Sequence, residues 1–253
     1  MRHTVSNVAL IVALALAAAR LNRNRPVPLV LLFHGGGGSA AGALARYGWV
    51  ERAEAEGFVL AAPQGIRAWA PGRHIWNEGS GRGRAARRKV DDVAFVRAVI
   101  ADIEGRFRID PRRIYATGFS MGASMSHLLG QRLGDRLAAI APVSGHVWLR
   151  GEAPPLPVSV FYVFGTADAI SPMAGGRGTV GGVKPPVAAS IVAWTRWCRG
   201  GTTVRYVLVP GMGHPWPGGS PSGLPERWVG PRVPTAFDAT RAIWAFFRAN
   251  PKK

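Results

Sequence analysis

The sequence is short of cysteine, lysine, acidic residues and long apolar runs, and each shortage excludes something. A single cysteine, Cys198, leaves no intrachain disulfide and no zinc–cysteine cluster, so a disulfide-stapled scaffold is out. Secretion itself is not excluded by that count. Charged residues make up only 18% of the chain against 47% hydrophobic, which excludes a disordered polypeptide. Beyond residues 8–19 there is no long apolar stretch, so a polytopic membrane protein is excluded as well. Acidic residues number 14 against 32 basic ones, a formal net charge of +18. Lysine occurs only at Lys89, Lys184, Lys252 and Lys253, so the positive charge is almost entirely arginine. The densest run is Arg82, Arg84, Arg87, Arg88 and Lys89. No aromatic residue interleaves with it, as a stacking platform for single-stranded nucleic acid requires. The run therefore reads as a solvated basic surface with at most weak adhesion to anionic surfaces, not as a nucleic-acid site.

What remains is a chain of 253 residues, long enough to bury a large core as one domain. Residues 1–19 read as a secretory signal peptide: Arg2 and His3 precede an apolar run that ends in the small residues Ala15, Ala17 and Ala19. The expected location is extracellular, with no membrane span in the mature chain. Residues 20–253 read as a single domain. An alternative places residues 4–20 at the edge of a sheet.

From residue 28 onward, strand-like and helix-like segments alternate. Residues 28–34 form a continuous apolar run, as in a strand covered on both faces. Ser39 caps a helix expected to continue to about Glu56. Further strands are expected at 57–62, 113–119, 137–143, 158–164 and 203–209. Helices are expected at 90–107, 120–133, 185–197 and 235–249. This alternation implies an α/β fold with a mostly parallel central sheet flanked by helices on both faces. The Gly/Pro-rich stretches 171–186 and 211–234 read as long loops suited to building a binding site.

Gly118-Phe119-Ser120-Met121-Gly122 matches G-x-S-x-G at a strand-to-helix junction, the context in which a serine is exposed on a strained turn. A serine nucleophile needs a base, and the base needs an orienting carboxylate. Asp168 follows an apolar strand directly, at the sheet edge where ligands bind in such folds. Glu152 lies before that strand, Glu226 in a Pro-rich loop and Asp238 in the last helix, so Asp168 is the candidate acid. His214 follows the last strand and the acid, and is the candidate base. His146 precedes the acid and reads as a residue that lines the site or packs, and His127 as a polar or capping residue. Two backbone N–H groups are needed for an oxyanion. Met121 and Gly36 are the candidates, Gly36 from the glycine run that follows the first core strand.

With these residues in place, the chain resembles the polyhydroxybutyrate depolymerase-like family of α/β-hydrolase serine esterases, which includes feruloyl and acetylxylan esterases. The likeness rests on PLVLLFHGGGGSA at 28–40, WNEGSGRG at 76–83, VDDVAFVRAVI at 90–100, IDPRRIYATGFSMGASM at 109–125, PVSVFYVFGTADAISP at 157–172 and GMGHPWPGG at 211–219. The histidine followed by Trp-Pro-Gly-Gly is the narrowest of these. The resemblance implies Ser120, Asp168 and His214 as a triad acting on a carboxylic ester, with no cofactor and no metal. The expected substrates are short-chain hydroxyalkanoate, acetyl or feruloyl-type esters, small or oligomeric. Trp76, Trp216 and His146 are the candidate substrate-binding residues, with packing in the fold as the other reading of the two tryptophans. Members of that family usually carry cysteines where this chain has Gly81-Arg82-Gly83, so the loop there is expected to be looser or placed differently. Two other functions are compatible with the same residues: hydrolysis of a peptide or thioester bond, and an inactive arginine-rich binding protein.

Overall fold

A computed structural model describes residues 12–16, 25–149, 151–220 and 224–252. Their elements, in chain order, begin with β1 (Val12–Leu16), β2 (Val27–Phe33), α1 (Ala40–Arg46), α2 (Trp49–Glu56) and β3 (Val59–Pro63). Then come β4 (Ile66–Arg67), β5 (His74–Ile75), α3 (Gly83–Arg87), α4 (Asp92–Arg106), β6 (Ile109–Phe119) and α5 (Met121–Arg132). The remainder is β7 (Ala139–Val143), β8 (Ser159–Gly165), β9 (Gly176–Arg177), β10 (Val183–Lys184), α6 (Val187–Trp197), β11 (Val204–Val209), α7 (Glu226–Val229) and α8 (Ala239–Ala249).

Seven strands form the central sheet in the order β1-β3-β2-β6-β7-β8-β11. All are parallel except β1, which pairs antiparallel with β3 from Val12 opposite Pro63 to Leu16 opposite Val59. Val12–Leu16, within the expected leader, is thus an edge strand of the sheet. Residues 1–11 and 17–24 lie outside the described residues.

The continuous apolar runs are explained by two-sided burial. In β2, Leu29, Leu31 and Phe33 join one core cluster while Val30 and Leu32 join the other. The first cluster takes in Val96, Ile100 and Ile103 of α4, Met125 and Leu129 of α5 and Trp194 of α6. The second takes in Trp49 and Ala53 of α2 and Ile243, Trp244 and Phe247 of α8. Phe247 stacks on Tyr115 at 4.5 Å and on Trp49 at 6.2 Å.

Three details depart from the expectations. The helix expected from Ser39 to Glu56 is two helices. Ser39 does cap the first, its hydroxyl accepting from Gly42 N at 3.1 Å. The break falls at Gly48, whose φ of 68° is left-handed, a conformation that ends a helix at no steric cost only for glycine. Strand β6 starts at Ile109, four residues early, because Val27 pairs with Ile109 beyond an irregularity in the β2 ladder. The long loops contain the small hairpin β9–β10 and the single turn α7, elements too short to show a period in the sequence.

Phe247 is fully buried between two aromatic partners, so Phe247→Ala is expected to destabilise the protein by about 3–5 kcal/mol in equilibrium urea denaturation. A loss below about 1 kcal/mol would show that α8 contributes little to the second cluster.

Candidate active site

Ser120 stands at the junction of β6 and α5 with φ 56° and ψ −115°, a strained conformation for a residue with a side chain. Its N–H donates to Val143 O at 2.9 Å, and its carbonyl accepts from Ser124 N at 3.0 Å. The flanking glycines make that turn possible. A Cβ on Gly118 would lie 2.5 Å from Gly122 O, and one on Gly122 would lie 2.2 Å from Phe33 O. The serine is half-buried, and the N-terminus of α5 begins directly behind it, where backbone N–H groups favour negative charge.

The acid and the base are buried together. His214 Nδ1–H donates to Asp168 Oδ2 at 2.6 Å, and Asp168 Oδ1 accepts from Ser171 N at 2.7 Å. That bond assigns the Nδ1 proton and leaves Nε2 as the basic nitrogen. The His214 ring packs on Phe119, one residue before the serine, with centroids 4.9 Å apart. No direct Ser120–His214 hydrogen bond is present among the described residues. Three glycines bring the loops together. A Cβ on Gly165 would meet Gly213 O at 2.3 Å, one on Gly213 would meet Val229 O at 2.5 Å, and one on Gly230 would meet Ala167 O at 2.3 Å. His214 N donates to Val229 O at 2.6 Å, which pins the base loop on the end of α7. The rejected carboxylates sit elsewhere: Glu152 pairs with Arg132, Asp238 caps α8 through Arg241 N, and Glu226 opens α7.

The glycine loop after β2 is held from three sides. Gly37 N donates to His74 O at 2.8 Å and Gly38 N to Gly35 O at 2.9 Å. The His34 ring donates from Nδ1 to Gly35 O at 2.9 Å and accepts from Gly65 N at 3.1 Å, and Trp76 Nε1 donates to His34 O at 3.0 Å. Gly36 lies against Met121, where an added Cβ would sit 3.3 Å from Met121 Cε. Among the described residues, the N–H groups of Gly36 and Met121 have no protein acceptor, so both are available to an oxyanion.

The candidate binding residues have defined places. Trp76 is fully buried against Phe33 and His34, and its own N–H contacts Met121 Sδ at 3.4 Å. Trp216 is buried, stacks on Tyr47 at 4.6 Å and donates to Thr240 Oγ1 at 3.1 Å. His146 is buried with neither ring nitrogen hydrogen-bonded, beside Trp148 and Phe164. Its backbone N–H donates to Ser124 Oγ at 3.0 Å, which ties it to the nucleophile helix. His127 accepts from Trp194 Nε1 at 2.8 Å and is a core residue.

Sequence reasoning missed two buried carboxylates on the other side of the glycine loop, Glu78 and Asp92, having looked for acids only after the serine. Asp92 Oδ2 accepts from Asn77 N at 2.6 Å and so holds the segment that carries Trp76. Burial lifts Asp92 to about 6, with the nearby Glu78 and Asp91 charges adding to the rise. Burial likewise raises Glu78, against the pull of Ser80, Arg82 and Lys184. The loop without cysteines is tethered by Arg82, whose Nη1 donates to Gly181 O at 2.8 Å and Val183 O at 3.0 Å and whose guanidinium lies 4.4 Å over Trp148. No group of three His, Cys, Asp or Glu among the described residues is placed to hold a metal ion.

A parallel sheet covered on both faces, with a strained serine after one strand and a buried Asp–His pair after two later strands, defines an α/β-hydrolase. The family described as esterase PHB depolymerase matches residues 10–176, and the chain belongs to that family. It is 30% identical over 234 residues to the putative esterase NocK of Nocardia uniformis subsp. tsuyamanensis, covering 74% of this chain and 64% of that protein. It is 36% identical over 110 residues to feruloyl esterase B of Piromyces equi, covering 44% of this chain and 19% of that protein. The chain thus spans less than two-thirds of the length of these curated relatives. The fold matches the crystal structure of the Bacillus cereus carboxylesterase with a TM-score of 0.64 at 16% identity, covering 96% of each chain.

Burial holds His34 at about 4, and His127 and His146 at about 3, against an ordinary 6.5. Below pH 6.5 the unfolded chain takes up protons at these histidines that the folded chain refuses, so stability falls as pH drops. Asp92, raised in the folded state, acts in the opposite sense over about pH 6 to 4, and Glu78, also raised by burial, acts in the same direction as Asp92. Three histidines outweigh two carboxyls, so the urea stability is expected to be lower near pH 5 than near pH 7, by on the order of 1–3 kcal/mol. Equal or greater stability near pH 5 would mean that the histidines are not held neutral.

Proposed function

We propose that the protein is a serine carboxylic ester hydrolase. The observation that carries this reading is the buried His214–Asp168 hydrogen bond of 2.6 Å, stacked against the residue that precedes the strained Ser120. In this reading Ser120 Oγ attacks the ester carbonyl carbon and His214 Nε2 takes the hydroxyl proton. Asp168 holds the imidazole and offsets the positive charge it acquires. The carbonyl oxygen becomes an oxyanion that accepts from the Met121 and Gly36 N–H groups. Collapse expels the alcohol, which receives the proton from His214 and leaves an acyl-Ser120 ester. Water, deprotonated by His214, then releases the carboxylic acid and restores the serine.

The substrate class follows the relatives: short-chain hydroxyalkanoate, acetyl or feruloyl-type esters, small or oligomeric. The fully buried indole of Trp76 favours a structural part in holding the glycine loop over direct substrate contact. His146, with two uncommitted ring nitrogens close to His214, remains the candidate for contact with substrate. No cofactor takes part in this chemistry. The proposed location is extracellular, with residues 1–19 removed on export. The pairing of Val12–Leu16 with β3 competes with that removal, and N-terminal sequencing of protein recovered from the medium decides between them: a start near residue 20 supports export with cleavage, and an intact Met1 overturns it.

Hydrolysis of p-nitrophenyl butyrate tests the mechanism. Ser120→Ala is expected to lower kcat by at least about 10⁴-fold with the fold intact, and Asp168→Asn by a comparable factor through the wrong histidine tautomer. A fluorophosphonate should label Ser120 and no other residue. Folded wild-type chain with neither ester hydrolysis nor labelling would overturn the reading. Faster cleavage of anilides or thioesters than of matched esters would move it to another acyl bond.

A further inference from the structure

The rim of the site carries two exposed tryptophans, each under an arginine, on two different loops. Trp69, at the tip of the β4–β5 hairpin, is 73% exposed, with the Arg87 guanidinium 5.2 Å from its ring. That hairpin is joined to the glycine loop through Gly38 and His74. Trp228 of α7 is 46% exposed, with Arg227 5.8 Å from its ring. Thr179 ties α7 to the β9–β10 hairpin and to the acid loop, its hydroxyl donating to Trp228 O at 2.6 Å and its N–H to Ala169 O at 2.9 Å. The same hairpin exposes Val180 and Val183. These four side chains are half of the strongly exposed large apolar residues among the described residues, and all four flank the loops that carry the candidate catalytic groups.

The charge around them is unpaired. Arg67, Arg73, Arg84, Arg87, Arg88 and Lys89 form no ion pair among the described residues, nor do Arg82, Arg177 and Arg227. The arginines that are ion-paired, such as Arg52, Arg97, Arg106 and Arg136, lie on helices or turns outside these loops. Between residues 65 and 90 the one carboxylate is Glu78, which is buried. The exposed acids nearest these arginines are Glu226, beside Arg227, and Asp91, which follows the basic run and caps α4 through Ala94 N.

We propose that this rim is a docking surface for an anionic lipid–water interface, which it meets with the mouth of the site facing the lipid. Indole rings settle at the level of lipid headgroups, exposed valines enter the acyl boundary, and arginines within a Debye length of the surface pair with anionic headgroups. Two features favour lipid over other polyanions. Val180 and Val183 offer nothing to a hydrated acidic polysaccharide. The indoles sit on separate loops and not in succession, as stacking of consecutive bases requires. The proposal goes beyond hydrolysis, since binding is read without turnover.

The test is co-sedimentation of full-length Ser120→Ala protein with vesicles of phosphatidylcholine alone and with about 30% phosphatidylglycerol. Binding to the anionic vesicles is expected to be at least about tenfold tighter, and to weaken as salt is raised. Trp69→Ala with Trp228→Ala is expected to weaken it by about tenfold, and Arg87→Glu with Arg88→Glu by as much. In the Ser120 background the same substitutions should leave hydrolysis of a soluble ester within about twofold, which also shows that the variants fold. Equal binding to both vesicles, or variants that bind as well as the parent, would overturn the proposal. So would tighter capture by heparin or by single-stranded DNA through the same four residues.

Discussion

The backbones of β2, β6 and α5 meet at a distance that no side chain can occupy, and the site depends on that contact. At Gly118 and Gly122 an added Cβ would fall well inside the van der Waals radius of the Phe33 and Gly122 carbonyls. Because the chain can close to that distance, β6 turns sharply enough to leave Ser120 in its strained conformation with the start of α5 behind it. The same contact sets the other half of the chemistry. Phe33 ends β2, so the glycine loop that follows it is delivered beside Met121. In the proposed mechanism, nucleophile and oxyanion donors are two consequences of one backbone approach.

The acid and base arrive by a different route. Strands β8 and β11 are parallel neighbours, with Val209 opposite Gly165 at their carboxyl ends. Asp168 lies three residues past the end of β8 and His214 five past β11, so adjacent strands deliver adjacent side chains. Their loops touch at Gly165, Gly213 and Gly230, which lets the carboxylate and imidazole reach 2.6 Å with both buried. The order serine, acid, base along the chain is the order of β6, β8 and β11 in the sheet, with β7 between the first two. Strand β7 supplies the Val143 carbonyl that holds the Ser120 N–H.

Much of this was legible in the sequence because the signals were local. The apolar runs of β2, β3 and β8, the glycines around Ser120 and the positions of Asp168 and His214 just past strands each need only a short window. What escaped depends on contacts across long separations. The break at Gly48 looks in sequence like a tolerated helix glycine; in the fold it turns Tyr47 onto Trp216. Asp92 drew no attention in the sequence and proves to be a buried acceptor for Asn77, 15 residues before it. Trp69 lies 18 residues from Arg87, so the basic run appeared to lack an aromatic partner, and only the folding of the β4–β5 hairpin brings them together. Trp76 looked equally suited to substrate or core, and its Nε1–H to His34 O, 42 residues away in sequence, favours a structural part.

The electrostatic surroundings of His214 follow from burial more than from net charge. In the proposed mechanism the imidazole becomes a cation during acyl transfer, and any cation already beside it opposes that step. The protein carries +18 overall, yet the neighbouring histidine on the site, His146, is kept at about 3 chiefly by burial, with the charges of Lys184, His214 and Arg82 pushing the same way. His34, which frames the oxyanion loop, is held at about 4 for the same principal reason. Lys184 is itself lowered by burial and by Arg82, while Glu78 and Asp168 pull it back. The guanidinium of Arg82 spends its donors on the carbonyls of Gly181 and Val183 and its face on Trp148, away from the acid–base pair. The arginines therefore crowd the rim while the buried imidazoles of His34 and His146 stay neutral. In the proposed mechanism His214 gains its positive charge against the Asp168 carboxylate, beside an imidazole that burial keeps uncharged.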